Sequence, residues 1–184
     1  NEGNGEWVHN DIIGKFELFG GSGGGLWLEE DFAYFCINQL GIVICGFGYD
    51  GPFNNPINPY LIGKVDTPGA ARDIKLNEAG TIAVIADYQA GITLIDISEK
   101  SNPKVISSFL PARVDQVEKI FVVNNQAYFI DTNNGLFVAD ISDPELPFLS
   151  GRYDTPDPEN LFVTSDEIIF LADQDLGLIV LEWR

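Results

Sequence analysis

The stretch IAVIADYQAGITLIDIS (82–98) contains two apolar runs joined by a short polar turn that includes Gly91. Related stretches recur as FAYFCINQLGIVICGF, AYFIDTNNGLFVADIS and IIFLADQDLGLIVLEW, which begin at Phe32, Ala127 and Ile168. The turn glycines lie 50, 44 and 42 residues apart, at Gly41, Gly91, Gly135 and Gly177. Two apolar runs around a glycine turn are typical of a β-hairpin, so the sequence predicts four repeated hairpins.

Two further kinds of strand accompany each hairpin. A short apolar segment precedes it: LWLEE, DIKLNE, KIFVVN and NLFVTS, from Leu26, Asp73, Lys119 and Asn160. A longer segment leads into a turn in NDIIGKFELFG, NPYLIGKVDTPG, NPKVISSFLPA and LPFLSGRYDTP, from Asn10, Asn58, Asn102 and Leu146. Four antiparallel strands, a to d, in roughly 44 residues are typical of a β-propeller blade. Strands that are apolar on both faces fit this fold, because each blade packs between two neighbours.

The order of the strands along the chain predicts how the ring is completed. The chain begins with a d-type strand, continues through a-b-c-d three times and finishes on a-b-c. We therefore expect an all-β, four-bladed propeller in one domain (1–184), with a polar leader (1–10), a closing strand (11–19) and four repeats (20–184). The closing strand completes the last blade, either in its own molecule or in a neighbouring subunit, and so covers an exposed sheet edge. Its residues are Ile12, Ile13, Gly14, Lys15 and Phe16.

The repeats resemble a known family. GITLIDIS (91–98) and GLFVADIS (135–142), together with GKVDTPG and GRYDTP, are similar to the motifs of LVIVD-repeat β-propellers. The first repeat departs from the motif, with IVICGFG at 42–48. The resemblance implies the fold and an exported or surface-located protein, and it transfers no catalytic residue.

The composition excludes several classes of function. Lys plus Arg total 10 and Asp plus Glu total 28, so the net charge is −18. Nucleic acids and anionic membranes attract clustered cations, so neither is expected as a partner. One His and two Cys exclude His-based zinc sites and Cys-rich clusters. Without any Met or an apolar run of about 20 residues, the sequence is interpreted as a mature secreted or cell-surface chain, with an expression fragment as the alternative.

The two cysteines occupy strands b and c of the first repeat. Alignment of the repeats places Cys36 level with Ala86 and Cys45 level with Ile95, both of which are core positions. Two interpretations are open at this point. The cysteines face each other and form a disulfide, or they are buried thiols that pack as small apolar side chains.

The hairpin turns begin with an acidic residue at Asp87, Asp131 and Asp173. Asp173 with Asp175 is the best candidate pair for calcium, which takes six to eight oxygen ligands. The loops lack the pattern of an EF-hand, and an Asp that accepts hydrogen bonds from nearby backbone N–H groups explains the recurrence better. We therefore expect no cofactor. The same interpretation applies to Asp66 and Asp154, and to the strand-end residues Asp96 and Asp140.

Strand a of each blade begins near the central axis, where propellers commonly bind ligands. The residues at this predicted axial mouth differ between blades: Arg72, Asp73, Glu118, Lys119, Glu159 and Asn160. They are interpreted either as a ligand site or as a salt-bridge cluster that solvates the axis.

Two classes of function follow. The first is a non-enzymatic, extracellular interaction or structural module whose partners are proteins, including copies of itself joined by strand exchange into a ring or filament. The second is a ligand-binding or hydrolytic propeller that uses the axial mouth for a glycan or a calcium-dependent ligand.

Overall fold

The computed structural model of the protein describes Phe16, residues 21–47 and residues 59–183. These residues form fifteen strands in four antiparallel sheets, which we call blades 1 to 4. The predicted closing-strand residues other than Phe16, and the leader, lie outside the described residues. No helix in the described part of the chain is long and apolar enough to cross a membrane.

The blades follow one another along the chain. Blade 1 contains β1 (Gly23–Glu29), β2 (Phe32–Ile37), β3 (Gly41–Gly46) and β4 (Tyr60–Val65). Blade 2 contains β5 (Asp73–Leu76), β6 (Ile82–Ala86), β7 (Ile92–Asp96) and β8 (Lys104–Phe109). Blade 3 contains β9 (Val117–Val123), β10 (Gln126–Asp131), β11 (Gly135–Asp140) and β12 (Phe148–Tyr153). Blade 4 contains β13 (Pro158–Val163), β14 (Ile168–Asp173) and β15 (Gly177–Glu182).

Each strand pairs with the next strand in its blade, so the predicted order a-b-c-d is confirmed. Val, Ile, Phe and Tyr fill the strands, as suits sheets that are covered on both faces. The central hairpins have tight, regular registers: Asp131 pairs with Gly135 in blade 3, and Asp173 pairs with Gly177 in blade 4. The predicted β-propeller fold with four blades is therefore confirmed, and the fourth strand of blade 4 is not among the described residues.

Consecutive blades pack face to face. We call the face that each blade turns toward the next blade along the chain its leading face, and the opposite face its trailing face. In blades 1, 2 and 3, the leading face includes four positions in strands b and c, and the residues at these positions are at most 1% exposed. They are Tyr34, Cys36, Ile42 and Ile44 in blade 1, Val84, Ala86, Ile92 and Leu94 in blade 2, and Tyr128, Ile130, Leu136 and Val138 in blade 3.

Trailing faces complete these interfaces. The leading face of blade 1 packs on Ile74, Ala83, Ile85 and Ile95 of blade 2, and the leading face of blade 3 packs on Leu161, Val163, Ile169 and Leu171 of blade 4. Burying one such side chain contributes about 1.5–3 kcal/mol, so these interfaces hold the arc of blades together.

The glycine run GGSGGG (20–25) allows blades 1 and 2 to approach closely at their inner strands. The Gly25 N–H donates to the Arg72 carbonyl oxygen at 2.6 Å. A Cβ atom at Gly25 would lie 2.7 Å from the Asp73 Cα, which is closer than side chains pack. The run is thus explained by backbone contact and does not require a bound phosphate.

Candidate functional site

The predicted axial-mouth residues separate into two groups in the structure. Arg72 and Glu118 come together across blades 2 and 3, with 3.7 Å between Arg72 Nε and Glu118 Oε2. The Arg72 guanidinium also lies 4.5 Å from the ring centroid of Tyr88. The contact with Glu118 ties blade 2 to blade 3, and the contact with Tyr88 lies within blade 2, as in a structural cluster.

Asp73 is a structural residue at the same end of the blades. Its side chain accepts hydrogen bonds from its neighbour Ile74 N at 3.0 Å and from Ile120 N of blade 3 at 3.2 Å. Its carboxylate also lies 3.7 Å from Lys75 Nζ. The buried carboxylate therefore links β5 to β9, and its oxygens are already engaged.

The remaining predicted mouth residues contribute less to any shared site. Lys119 is half-buried, and Glu159 and Asn160 are exposed on β13. The Asn160 side chain accepts from Leu161 N at 2.9 Å, which is a local backbone contact. The structure thus brings Arg72, Asp73 and Glu118 into contact with neighbouring blades, and the ligand-binding role of the axial mouth stays a prediction.

The aspartates that begin the hairpin turns connect one repeat to the next. Asp87 accepts from Thr93 Oγ1 at 2.8 Å in its own blade, and from Thr67 Oγ1 at 2.7 Å in the connection that follows blade 1. Asp173 accepts from Thr155 Oγ1 in the connection that follows blade 3, and from Leu176 N at 2.7 Å. The Thr of each DTP motif therefore fixes the turn of the following blade.

Blade 3 makes the equivalent link with different donors. The connection after β8 lacks a DTP motif, and there the N–H groups of Asp115 and Gln116 donate to Asp131 Oδ2 at 2.5 and 2.7 Å. In blade 1 the same turn position is occupied by Ile37, which is buried against Val43 and Cys45. The polar link thus recurs in the three blades that carry the Asp.

Two of these buried carboxylates have opposite pKa shifts. Burial raises the pKa of Asp87, although hydrogen bonds from Thr67, Thr93 and Gly69 oppose the rise. Burial also acts to raise the pKa of Asp173, but hydrogen bonds from Thr155 and from backbone N–H groups outweigh it and lower that pKa. Burial is the largest influence on both groups, but Asp173 accepts from four donors and Asp87 from three, and the nearby Asp66 carboxylate further raises the pKa of Asp87.

The acidic residues at the strand ends also act as local acceptors. Asp96 accepts from Ser98 N at 2.9 Å, and Asp140 accepts from Ser142 N at 2.8 Å. Hydrogen bonds from these serines lower the pKa of both carboxyls. Asp66 likewise accepts from Thr67 N at 3.0 Å. Recurring carboxylates in this fold therefore shape turns.

The described residues contain no group of three or more His, Cys, Asp or Glu side chains that could hold a metal ion. Asp173, the better placed of the two candidate calcium ligands, already accepts from the N–H groups of Asp157 and Asp175 at 3.1 and 2.9 Å. This geometry agrees with the turn interpretation of the sequence.

Of the two interpretations left open for the cysteines, the structure has the buried thiols, since Cys36 and Cys45 are both free and buried. The register of the hairpin explains this: Cys36 pairs with Ile42, and Cys45 pairs with Ala33. Because Ala33 and Cys36 are three residues apart on one strand, the two thiols point to opposite faces of the blade. Burial raises the pKa of Cys45 to about 11 and that of Cys36 further still, so both pack as unreactive thiols.

A polar cleft on the turn side of blade 3 was not predicted from the sequence. It has a volume of about 380 Å³ and is lined by Arg113, Asn133, Asn134, Arg152, Asp154, Thr155 and Pro156. Arg152 Nη2 lies 3.4 Å from Asp154 Oδ2, and Arg113 has a positive φ of 73°. Two guanidinium groups and two amides can together bind a carboxylate.

The leading face of blade 4 is exposed. Repeat alignment places Phe170, Ala172, Leu178 and Val180 at the four leading-face positions that blades 1 to 3 bury. Phe170, Leu178 and Val180 are 37%, 69% and 55% exposed, and Phe162 beside them is 56% exposed. Phe162, Phe170 and Leu178 line a shallow groove on this face. Blade 4 therefore presents an unpaired version of an interface that the molecule uses three times.

The trailing face of blade 1 lies at the other end of the arc. Leu26 and Leu28 of β1 are 58% and 59% exposed. The equivalent residues of blade 2, Ile74 and Leu76, are 0% and 6% exposed. β1 contacts β5, β5 contacts β9, and β9 contacts β13, whereas β13 makes no comparable contact with β1. Within the described residues, the blades therefore form an open arc.

Comparison with known proteins agrees with this architecture. The model of the LVIVD repeat matches residues 68–110 and 116–155. No curated protein matches the sequence.

Three solved structures illustrate the similarity of fold. The computationally designed Ika4 protein is 10% identical, with a TM-score of 0.71 over 94% of this chain and 98% of Ika4. The computationally designed Ika8 protein is 10% identical, with a TM-score of 0.70 over 93% of this chain and 49% of Ika8. A putative 6-phosphogluconolactonase from Bacteroides uniformis is 12% identical, with a TM-score of 0.73 over 88% of this chain and 50% of that protein. The chain thus spans about half the length of the last two. Residues 68–110 and 116–155 therefore match the LVIVD repeat, and the repeats of this chain form the blades of a β-propeller.

Proposed function

We propose that this protein is a non-enzymatic interaction module that assembles with protein partners, including copies of itself, through its terminal blades. The observation that carries the proposal is the exposed leading face of blade 4. Monomeric soluble proteins seldom expose a contiguous apolar patch of this kind without using it for binding.

The edge of blade 4 supports assembly by strand exchange. In the described residues this sheet has three strands, whereas each of the other sheets has four. A sheet edge with unpaired backbone groups is a template for a strand from another chain. The predicted closing strand, Ile12 to Leu18, has the sequence type of a fourth strand and is the donor in this proposal.

The remaining parts of the proposal concern chemistry and location. The carboxylates that recur in the repeats accept hydrogen bonds within the fold, and this supports a role without catalysis or a cofactor. The LVIVD resemblance and the acidic composition support a location outside the cytoplasm, secreted or at the cell surface. The proposal includes no nucleic acid, since the net charge is −18. It includes no membrane insertion, since the sequence has no apolar run of about 20 residues.

The proposal is tested by size-exclusion chromatography with multi-angle light scattering, over a range of protein concentrations. We expect the full chain to form a species heavier than the 20.2 kDa of one copy. Removal of residues 1–20 should shift this species toward the monomer. A full chain that stays monomeric at every concentration would contradict the proposal.

The polar cleft beside blade 3 favours a second candidate function, the binding of a ligand that carries a carboxylate, such as an acidic glycan. Arg113 and Arg152 line this cleft in a protein with few cations. The cleft is a stronger candidate than the axial mouth, where Arg72 and Asp73 are engaged by neighbouring blades.

Isothermal titration calorimetry with an acidic oligosaccharide tests this second function. Arg113→Gln should abolish binding if the cleft is the site, and Arg72→Gln serves as the matched control at the axis. Loss of binding in the Arg72 variant alone would move the site to the axial mouth.

A further inference from the structure

We propose that the partner of the exposed blade 4 face is the trailing face of blade 1 in a second copy of this chain, and that two copies close head-to-tail into one ring of eight blades. This inference rests on the proposed function and specifies its partner, its orientation and its size. It requires no new kind of interface, because the same contact already joins blades within one copy.

The first argument is the equivalence of positions between repeats. Leu178 and Val180 of blade 4 align with Ile92 and Leu94 of blade 2, which are 0% exposed because blade 3 covers them. The side chains of blade 4 are of the same kind and project from the same strands. What fits them is therefore the trailing face of a blade.

The second argument is that the chain exposes part of the complementary surface, at β1 of blade 1, whereas Val43 and Cys45 on the same face are 1% exposed and pack with Phe16 and Phe35. Leu26 and Leu28 hold the positions that Ile74 and Leu76 hold in blade 2, where the leading face of blade 1 packs on them. One end of the arc therefore carries a free leading face, and the other carries a partly free trailing face. Two different complementary surfaces on one chain produce a head-to-tail contact.

The third argument is the position of Phe16. The sequence IGKF (13–16) aligns with IGKV (62–65), so Phe16 corresponds to Val65 of β4. Val65 packs on the interface between its own blade and the following blade. Phe16 packs against Ile37, Val43 and Cys45, which belong to the trailing face of blade 1. Phe16 thus occupies the place of an outer-strand residue in a blade that precedes blade 1.

That preceding blade is not the chain's own blade 4 in this structure. If it were, the leading face of blade 4 would be buried on blade 1 together with Phe16, whereas Leu178 and Val180 are 69% and 55% exposed. Blade 4 of a second copy fits the space, because it lacks an outer strand among its described residues and has the free face. In that arrangement, Phe16 packs on blade 1 of its own copy while its strand pairs with blade 4 of the second copy.

The fourth argument is the share of longer chains that the four blades match. The four blades superpose on 49% of the Ika8 chain and on 50% of the lactonase chain, with TM-scores of 0.70 and 0.73. In chains of that length, the unmatched half leaves room for a second arc of about the same size. Closure at two copies also removes every free blade face, which leaves no surface for a third copy.

The charge of the chain shapes the conditions for assembly. Each copy carries a net charge of −18, so two copies repel each other at low ionic strength. Contacts between apolar faces are not weakened by salt. We therefore expect the dissociation constant to fall at least tenfold between about 0.05 M and 0.5 M NaCl, where the Debye length shortens from about 14 Å to about 4 Å.

The decisive experiment blocks one end of the arc at a time. The first variant carries Leu178→Glu and Val180→Glu on blade 4, and the second carries Leu26→Glu and Leu28→Glu on blade 1. All four side chains are exposed, so both variants should fold. Leu146→Glu is the matched control, because Leu146 is 73% exposed and lies in the connection between β11 and β12, away from both faces.

Native mass spectrometry and light scattering report the outcome. The wild type and the Leu146 control should have twice the mass of one 20.2 kDa copy, and each blocked variant alone should be monomeric, with affinity weakened at least 100-fold. An equimolar mixture of the two blocked variants should regain a dimer, because one copy keeps a free blade 4 and the other keeps a free blade 1. This recovery is specific to a head-to-tail contact.

Three results would overturn the inference in distinguishable ways. If the blade 1 variant still dimerises alone, the contact joins two blade 4 faces, and the proposed interaction function stands while the head-to-tail arrangement falls. If the wild type is heavier than two copies, closure at two copies is wrong and the assembly is a larger ring or a filament. If the wild type is monomeric, both the inference and the self-assembly in the proposed function are wrong.

Discussion

Blade 2 and blade 4 are built from the same repeat but experience different surroundings. The leading face of blade 2 is covered by blade 3, and its outer strand β8 pairs with β7. The leading face of blade 4 is exposed, and β15 is the last strand of its sheet in the described residues. Substitutions at equivalent residues of the two blades therefore separate the contribution of a neighbouring blade to stability from the contribution of the repeat itself.

The largest expected effect compares Leu94 with Val180, which occupy the same position. Leu94→Ala should destabilise the fold by about 2–5 kcal/mol, because it leaves a cavity in a fully buried interface. Val180→Ala should change the free energy of unfolding by at most about 0.5 kcal/mol in the monomer. Urea unfolding at low protein concentration measures both. A large loss for Val180→Ala under those conditions would show that its face is already covered within one copy.

The next effect compares the turn glycines, Gly91 and Gly177, which both have a φ of 79°. A side chain at either position costs about 1–2 kcal/mol of backbone strain. At Gly91 a Cβ atom would also overlap the Phe109 carbonyl oxygen and lie 2.9 Å from the Leu110 Cα, whereas at Gly177 it meets nothing within 4 Å.

Gly91→Ala should therefore cost about 3 kcal/mol or more, and Gly177→Ala only about 1 kcal/mol. Thermal unfolding of the two variants measures the difference. Equal losses would indicate that a strand covers the start of β15 in solution as β8 covers the start of β7.

A smaller effect is the pH dependence of stability, which should differ between Asp87 and Asp173. The pKa of Asp173 is lowered below its ordinary 3.8, so its contribution to stability is present above that value and is lost as pH falls through the folded-state pKa. The pKa of Asp87 is raised, so its contribution is present below 3.8 and is lost as pH rises through the folded-state pKa.

The stability difference between wild type and Asp173→Asn should therefore grow as pH rises from about 3, while the difference for Asp87→Asn should shrink. Urea unfolding at several values between about pH 3 and pH 7 tests both directions. If the two differences change in the same direction, the hydrogen bonds described for one of the carboxyls are wrong.

The smallest effect concerns the end of strand c, where Asp140 of blade 3 corresponds to Glu182 of blade 4. Asp140→Glu introduces the residue of blade 4 and lengthens the reach to Ser142 N, which Asp140 now contacts at 2.8 Å. We expect a loss below about 1 kcal/mol, the net value of one exposed hydrogen bond. A loss above about 2 kcal/mol, measured by urea unfolding, would mean that this turn is more than a local contact.

The repeated hairpins made most of the architecture predictable. All fifteen described strands fall in segments that the sequence marks by apolar runs and turn residues. The roles of Asp96 and Asp140 as turn acceptors were also predictable, because the IDIS and ADIS motifs place each Asp two residues before a Ser N–H. Local sequence is sufficient where a local contact sets the structure.

Other features depend on distant parts of the chain. The sequence pattern of buried strand residues includes Phe170, Leu178 and Val180. Such a pattern predicts that these side chains pack against another surface, but it does not identify that surface. The cleft at Arg113 and Arg152 joins connections from separate repeats, so no single motif contains it. Whether the two cysteines face each other depends on the register of the hairpin. A shift of one residue along a strand moves a side chain to the opposite face of the sheet.

The hydrogen bonds from Thr67 to Asp87 and from Thr155 to Asp173 affect how such chains can gain or lose repeats in evolution. Each bond joins the end of one repeat to the turn of the next, and the two bonds are two repeats apart along the chain. Deletion of residues 68–155 would bring Thr67 to the place of Thr155 and restore the same bond with Asp173. Gene duplication or loss of two repeats together therefore preserves this joint, and blade number can change in steps of two without a new junction.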